Sequence, residues 1–314
     1  MLISFIIPVL NEHESLQQLY AEILQNVKPH NYEIIFIDDG STDDSLNVMK
    51  SLAKQDSHVK IISFRRNFGK AAALQSGFDF AKGDLVFTMD ADLQDNPVDI
   101  PDFIKKIEEG YDLVSGWKKK RHDPINKRLP SKFFNAITSS YFGLKLHDFN
   151  CGYKVYRKEV IKEVDLYGEL HRYIPVLAHA KGYRIAEMEV QHRERIHGKS
   201  KYGFERYLRG FLDLLSVRMV TIFRSSPLYL FGSWGASFVV AGGALSLYLT
   251  IMKIFYHMSL SNRPLLFLGV LLILVGMQFF SIGLVCELIV NKTHRLTMGS
   301  GISIKEKINM DEEV

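Results

Sequence analysis

The chain has 314 residues, 47% hydrophobic and 24% charged, with a net charge of +4. That composition excludes a disordered chain, a collagen-like chain and a small disulfide scaffold. It does not exclude a membrane protein, because residues 228–290 hold only Lys253, Arg263 and Glu287 as charged groups. The charge is divided as well. Residues 1–114 carry 10 Lys/Arg against 19 Asp/Glu, residues 115–224 carry 23 against 11, and residues 225–314 carry 6 against 5. A basic middle section followed by an apolar tail points to an anionic partner at a membrane surface. Nucleic acid has no use for such a tail. Two cysteines, Cys151 and Cys286, are too few for a disulfide framework and suit a reducing compartment.

In chain order, residues 2–9 are an apolar run and read as a first strand. They lack the basic start and cleavage site of a signal peptide. Residues 15–27 have helical spacing, and 32–38 form a strand ending in acid. A helix is predicted over 41–55, with Ser41 or Thr42 as its N-cap. A third strand follows at 59–64, an Ala-rich helix at 69–81 and a fourth strand at 84–89. A helix at 97–109 and a fifth strand at 111–115 complete the series. Strands alternating with helices predict an α/β fold, doubly wound about a mostly parallel sheet. Such sheets bind ligands beyond the carboxyl ends of their strands. Polar clusters sit at those ends: Asn11 and Glu12, then Asp38 to Ser41, then Asp90, Ala91 and Asp92.

Asp90 and Asp92 are two residues apart. In a turn, two such carboxylates can share one hard divalent cation, Mg²⁺ or Mn²⁺, completed by substrate phosphates. The same spacing also describes an ordinary solvated turn. Other phosphate schemes fail. No G-x-G-x-x-G follows the first strand, and the P-loop-like Gly198, Lys199, Ser200 has Arg193 where the loop needs glycine. His171, His192 and His197 lack ligand spacing, and read as structural or as phosphate neighbours. The run from Lys118 to Arg121 reads as a solvated loop in preference to a cluster with one cation on the substrate.

Residues 228–251 and 265–286 are uncharged, and a 24-residue helix spans roughly 36 Å, enough to cross a bilayer core. A short polar turn joins them. Residues 227–290 are therefore predicted as a transmembrane hairpin. Arg209, Arg218 and Arg224 before it, and Lys292, Arg295, Lys305 and Lys307 after it, outnumber Lys253 and Arg263 in the connecting loop. That asymmetry puts both termini and the N-terminal part in the cytoplasm. Residues 201–226 read as a juxtamembrane amphipathic helix. Residues 124–141 read as a second interfacial helix, and 291–314 as a cytosolic tail.

The residues then resemble a known family. Pro8 to Glu12, Asp38 to Asp43 and Asp90 to Asp95 together look like the family 2 glycosyltransferases with a GT-A fold. Asp148 to Tyr153, His171 to Pro175 and Arg195 to Tyr202 narrow the resemblance to polyprenyl-phosphate glycosyltransferases. That group contains the dolichol-phosphate mannose synthases and the bacterial bactoprenol glucosyltransferases. The two-span tail is similar to the second kind. The resemblance implies a GT-A domain over residues 1–200 and inverting transfer of a sugar from a UDP- or GDP-sugar. Glucose or a related hexose is favoured. The acceptor it implies is a polyprenyl phosphate such as undecaprenyl phosphate.

By the same resemblance, Asp90, Asp92 and Gln94 hold Mg²⁺ or Mn²⁺. Pro8, Leu10, Glu12, Asp39 and Lys70 bind the nucleotide-sugar. Asp148 is the catalytic acid beside the attacking oxygen. Lys127, Ser131, Arg195 and Lys201 surround the acceptor and diphosphate phosphates. A multi-pass protein of the bacterial inner membrane, assembled as a homo-oligomer such as a tetramer, is implied. A processive polymer synthase is disfavoured, because Trp117 and Trp234 lie outside any Q-x-x-R-W motif. A non-catalytic sugar-nucleotide binder would need neither the acidic nor the basic segment.

Overall fold

Strand β1 (Leu2–Val9) is apolar along almost its whole length because both of its faces are covered. Its Ile3, Phe5, Ile7 and Val9 pack against α1 (Leu16–Val27), α2 (Ser45–Gln55) and α4 (Ile100–Glu108). The opposite face meets α3 (Lys70–Phe80). A Cβ on Gly77 of that helix would lie 2.3 Å from Ile6 Cγ2, so only glycine lets α3 approach so closely.

The computed structural model describes residues 1–119, 138–139, 142–168, 170–193, 227–256, 264–293 and 304–308. They fall into two units, Met1–Val217 with Gly301–Val314, and Arg218–Ser300. The first unit contains β2 (Asn31–Asp38), β3 (Val59–Phe64), β4 (Leu85–Thr88), β5 (Leu113–Trp117), β6 (Lys154–Arg157), β7 (Ile185–Glu189) and β8 (Ile304–Ile308). Short helices α5 (Lys158–Glu163) and α6 (Ile174–Ala180) complete it. The eight strands form one sheet in the order β7-β5-β6-β4-β1-β2-β3-β8. β1 pairs in parallel with β2 and β4, β2 with β3, and β5 with β7. The chain runs outward from β1 to β3 and then crosses back to β4, so the carboxyl ends of β1 and β4 diverge and leave a crevice.

The sheet is mixed. β6 lies antiparallel between β4 and β5, and β8 antiparallel on the outer edge of β3. Neither strand was legible from the apolar runs, and nor was β7. An aromatic column supports the β4 end. Phe5 stacks on Phe87 at 5.2 Å, Phe87 meets Phe103 edge-on at 5.8 Å, and Phe103 lies 4.6 Å from Tyr153. Each such pair contributes about 0.5–1.5 kcal/mol beyond its buried area.

Helix α2 begins at Ser45, four residues later than predicted. Ser41 and Thr42 do not cap it. The Thr42 amide donates to Asn11 Oδ1 at 2.8 Å, and Ser41 Oγ accepts from the Asn11 amide at 3.1 Å. The helix predicted over 97–109 opens as a 3₁₀ turn, Pro97–Asp99.

In the second unit, α7 (Pro227–Tyr256) and α8 (Pro264–Thr293) pack on each other. Both outrun the predicted spans, and residues 252–256, read as part of the turn, are helical. Stretches Leu228–Tyr256 and Pro264–Cys286 are long and apolar enough to cross a membrane. Their outward side chains, Val240, Leu247, Phe267 and Leu274 among them, are exposed, as lipid-facing groups are. Glycines set the crossing. A Cβ on Gly276 would meet Gly235 O at 2.6 Å, and one on Gly242 would meet Gly269 O at 2.6 Å. The pairs are seven residues apart on each helix, the spacing of one continuous seam.

Candidate active site

The site is built where β1, β2 and β4 end. Beyond β1, Asn11 adopts φ 54°, and beyond β4, Leu93 adopts φ 61°. Left-handed backbone at a buried leucine costs roughly 1–2 kcal/mol and persists only where the surroundings enforce it. Here it reverses the chain between Asp92 and Gln94, and Asp92 Oδ1 accepts the Gln94 amide at 3.2 Å. Ser15 Oγ ties the two strand ends together, donating to Glu12 O at 2.8 Å and to Ala91 O at 2.6 Å. Pro8, Leu10 and Glu12 are half-buried along this lip.

Asp39 is buried and accepts the Phe68 amide at 2.7 Å and the Gly69 amide at 3.0 Å. Burial raises its pKa against those two bonds. It thereby fixes the turn that opens α3 and presents Lys70. Gly40 follows with φ 74°, where a Cβ would lie 2.6 Å from Arg66 C. The loops after β2 and β3 therefore touch backbone to backbone.

Lys70 Nζ donates to Asp90 Oδ1. Three residues beyond Asp92, next to Gln94, Asp95 is fully buried and ion-paired with Lys118 at 2.8 Å. The Lys118 side chain is only 13% exposed. This corrects the solvated-loop reading for Lys118: alternation along the strand turns its side chain inward. Lys119 does lie outside, 54% exposed on Glu189. Burial on its own would raise the Asp90 carboxyl, but the Lys70 and Lys118 ammoniums hold it well below the usual carboxylate range. Burial would likewise lower Lys118, and Asp95 outweighs it and raises the ammonium's pKa.

The loop before β6 closes the other wall. Gly152 lies directly against Asp90, where a Cβ would meet Asp90 Oδ2 at 2.7 Å. Thr88 Oγ1 donates to Gly152 O at 2.8 Å and pins the loop to β4. Asp148, at the start of the loop, is buried, and Lys154 at its end donates from Nζ to Cys151 O. Burial lowers the Lys154 pKa, while Cys151, Asp148 and Asp90 oppose that fall. His171 belongs to the same cluster. Burial, then Lys70, Arg172 and Lys154, drive its imidazole well below its ordinary value, and its buried Nδ1 has no hydrogen-bond partner among the described residues.

Asp90 and Lys70 are thus paired, with Asp92 and Gln94 in the turn that follows, and the loop that begins at Asp148 lays Gly152 against Asp90. Lys127, Ser131, Arg195 and Lys201 lie outside the described residues, as do most of the helices expected over 124–141 and 201–226. Sequence reasoning missed Lys154 and Ser15, took Gly152 only as part of a motif, and left open which of Lys118 to Arg121 meets the substrate. A signal for Lys118 was its position one residue past a strand end in the acidic half of the sheet.

Among the described residues no three His, Cys, Asp or Glu side chains converge as a self-sufficient metal cage. The set of two carboxylates and one side-chain amide is still hard oxygen chemistry. Asp90 already holds a cation, the Lys70 ammonium. The residues fit a divalent ion that takes its remaining ligands from a substrate diphosphate.

The profile of Glycosyl transferase family 2 matches residues 4–165. The chain belongs to that family. It is 38% identical to the dodecaprenyl-phosphate galacturonate synthase of Rhizobium johnstonii over 93% of this chain and 89% of that protein. It is 36% identical to an undecaprenyl-phosphate 4-deoxy-4-formamido-L-arabinose transferase of Shewanella sediminis, over 91% and 86%. These similarities put it in the polyprenyl-phosphate branch, and the family 2 chain is a glycosyltransferase. The fold is that of glucosyl-3-phosphoglycerate synthase from Mycobacterium tuberculosis, solved with Mn²⁺ and UDP-glucose. The TM-score is 0.54 at 19% identity, over 69% of this chain and 78% of that one. It is the GT-A fold expected from the sequence.

Proposed function

We propose that this family 2 enzyme moves a sugar from a nucleoside diphosphate donor to a polyprenyl phosphate at the cytoplasmic face of a bacterial membrane, with inversion at the anomeric carbon. One observation carries the reading: a strand-end acidic turn, Asp90 and Asp92, lies beside the half-buried Lys70 and Lys118 in a chain that also holds two membrane-length apolar helices. Pro8, Leu10, Glu12 and Asp39 line the nucleoside, and Asp90, Asp92 and Gln94 hold Mg²⁺ or Mn²⁺. When bound, that cation neutralises the leaving diphosphate. Lys70 and Lys118 add fixed positive charge where negative charge develops. A phosphate oxygen of the acceptor forms the new bond to the anomeric carbon, and the donor's carbon–oxygen bond breaks with its electron pair leaving on the diphosphate. Because the nucleophile is already anionic, Asp148 needs only to orient it or take its last proton. Lys127, Ser131, Arg195 and Lys201 are assigned to the phosphates. The two helices anchor the enzyme beside its lipid acceptor, with both termini cytoplasmic.

The names of the similar proteins extend the donors worth testing from glucose to galacturonic acid and 4-deoxy-4-formamido-L-arabinose. The test incubates full-length protein, undecaprenyl phosphate and Mn²⁺ with UDP-glucose, UDP-galacturonic acid, the UDP-formamidoarabinose and GDP-mannose. Lipid products are read by mass and anomeric configuration by NMR. One lipid-linked sugar of inverted configuration is expected. Donor consumption without a lipid product removes the acceptor assignment, and a retained configuration removes single displacement.

A further inference from the structure

The edge strand β7 carries two glutamates that the reaction described above leaves unused. Its parallel register with β5 sets Ser115 opposite Glu187 and Trp117 opposite Glu189. Side chains alternate along a strand, so Trp117 and Lys119 share one face while Lys118 turns to the other, toward Asp95. On the outer face, Trp117 stacks on His147 at 4.1 Å with 15° between the rings. Glu187 then gathers the backbone leading into the catalytic loop. Its carboxylate accepts the His147 amide at 2.9 and 3.0 Å, His147 Nδ1 at 2.7 Å, and the Asp148 amide at 2.8 Å. The Glu187 side chain is only 10% exposed, whereas His147 is 67% exposed.

We propose that Glu187 is a positioning residue for sugar transfer, acting through the backbone of Asp148. Besides the bond from Lys154 to Cys151 O, the loop from Asp148 to Gly152 is held at both of its ends. Thr88 fixes Gly152, which lies against Asp90, and Glu187 fixes the amide of Asp148. Bonds from amides to a carboxylate are charge-assisted and roughly twice as strong as neutral ones. A carboxylate bonded to two consecutive amides and one imidazole leaves that segment little freedom. Without it, the first residue of the loop loses the carboxylate that holds its amide, while the last keeps its bond to Thr88. The Asp148 carboxylate then loses its register with the acidic turn.

The inference rests on Asp148 being the carboxylate beside the attacking oxygen, and the experiment separates the two. Full-length Glu187→Ala, Glu187→Gln, Asp148→Asn and the double variants are assayed for transfer to undecaprenyl phosphate with whichever donor of the panel is active. Amide exchange of peptides spanning residues 147–148 is followed by mass spectrometry. Glu187→Ala is expected to lower kcat on the order of 10- to 100-fold, as sub-ångström misplacement of a reacting group does, with donor KM nearly constant. Glu187→Gln keeps one acceptor oxygen and is expected to recover most of that loss. In the Asp148→Asn background, Glu187→Ala is expected to cost less than about twofold more, because the two act as one unit. Exchange at 147–148 should quicken in Glu187→Ala.

Undiminished loss in the Asp148→Asn background overturns the proposal, and so does unchanged exchange. If Asp148→Asn transfers at the full rate while exchange still quickens, the hold is real and the catalytic assignment of Asp148 has failed, taking this role with it. Should Glu187→Ala melt early, the cycle is read on Glu187→Gln.

Discussion

Replacing Gly152 with alanine tests the acidic turn at its tightest contact. The added methyl would sit 2.7 Å from Asp90 Oδ2 and 3.0 Å from Asp90 Cγ, where ordinary contact begins at 3.4 Å. Relieving the overlap moves the carboxylate by about 0.7 Å, the difference between those two separations. Gly152 is itself tethered through its carbonyl to Thr88 at 2.8 Å, so the acid is the part that gives way. Overpacking of this size costs about 1–3 kcal/mol of stability. The larger effect falls on the reaction. A carboxylate displaced by most of an ångström is expected to lower kcat by roughly 10- to 100-fold. It should also raise the Mn²⁺ concentration at half-maximal rate. The assay is initial rate against Mn²⁺ with donor and lipid saturating, beside a thermal melt to separate misfolding from misplacement. Wild-type rate at wild-type Mn²⁺ demand in Gly152→Ala would refute the placement of the metal on Asp90.

Three further outcomes follow from the same contacts. Lys118→Met strands the fully buried Asp95, and is expected to cost about 3–5 kcal/mol in denaturant unfolding. Adding Asp95→Asn should restore most of it, and no rescue would mean that Lys118 serves only the substrate. His171 is neutral when folded because its pKa lies far below the ordinary 6.5. The unfolded chain therefore takes up the extra proton, and stability is full above pH 6.5 and falls as pH drops below it, by up to about 1.4 kcal/mol per pH unit. His171→Gln should flatten that slope between pH 6.5 and 5, and an identical slope in both proteins would contradict the burial argument. Gly276→Leu collides with Gly235 O, whereas Gly243 has nothing within 4 Å of an added Cβ. In detergent the first should lower the melting midpoint of the full-length protein and Gly243→Leu should not.

The central strands were readable because burial on both faces leaves unbroken apolar runs, as in Leu2–Val9. The two long helices were readable for a related reason, being apolar on every side over the length of a bilayer core. β6 and β7 escaped notice because their sequences, Lys154–Arg157 and Ile185–Glu189, place charges on strands whose neighbours absorb them. Lys154 donates to a carbonyl, and Glu187 accepts from the backbone amides of His147 and Asp148. The acidic turn was legible through Asp90 and Asp92, whose residue type states their chemistry. Gly152 carries no such label: its function is the space that it leaves for Asp90. Lys118 was hidden in a run of four basic residues, where only strand alternation distinguishes the inward one from its outward neighbour Lys119.

Strand β8 sets a rule of parity. The chain leaves the sheet after β7, passes through α7 and α8, and rejoins the same sheet on the free edge of β3, with Ile61 opposite Ile308 and Ser63 opposite Glu306. A strand cannot find its partner through a bilayer, so helices that cross one, as proposed, are expected to do so an even number of times. Deleting one helix would do more than weaken an anchor. It would strand residues 304–308 on the wrong side and bare the unpaired backbone of β3, an edge that other chains can add to. Ser63 of that edge holds Asp38, next to the nucleoside-side Asp39. β8 thus braces, through β3, the strand end that the proposal gives to the donor.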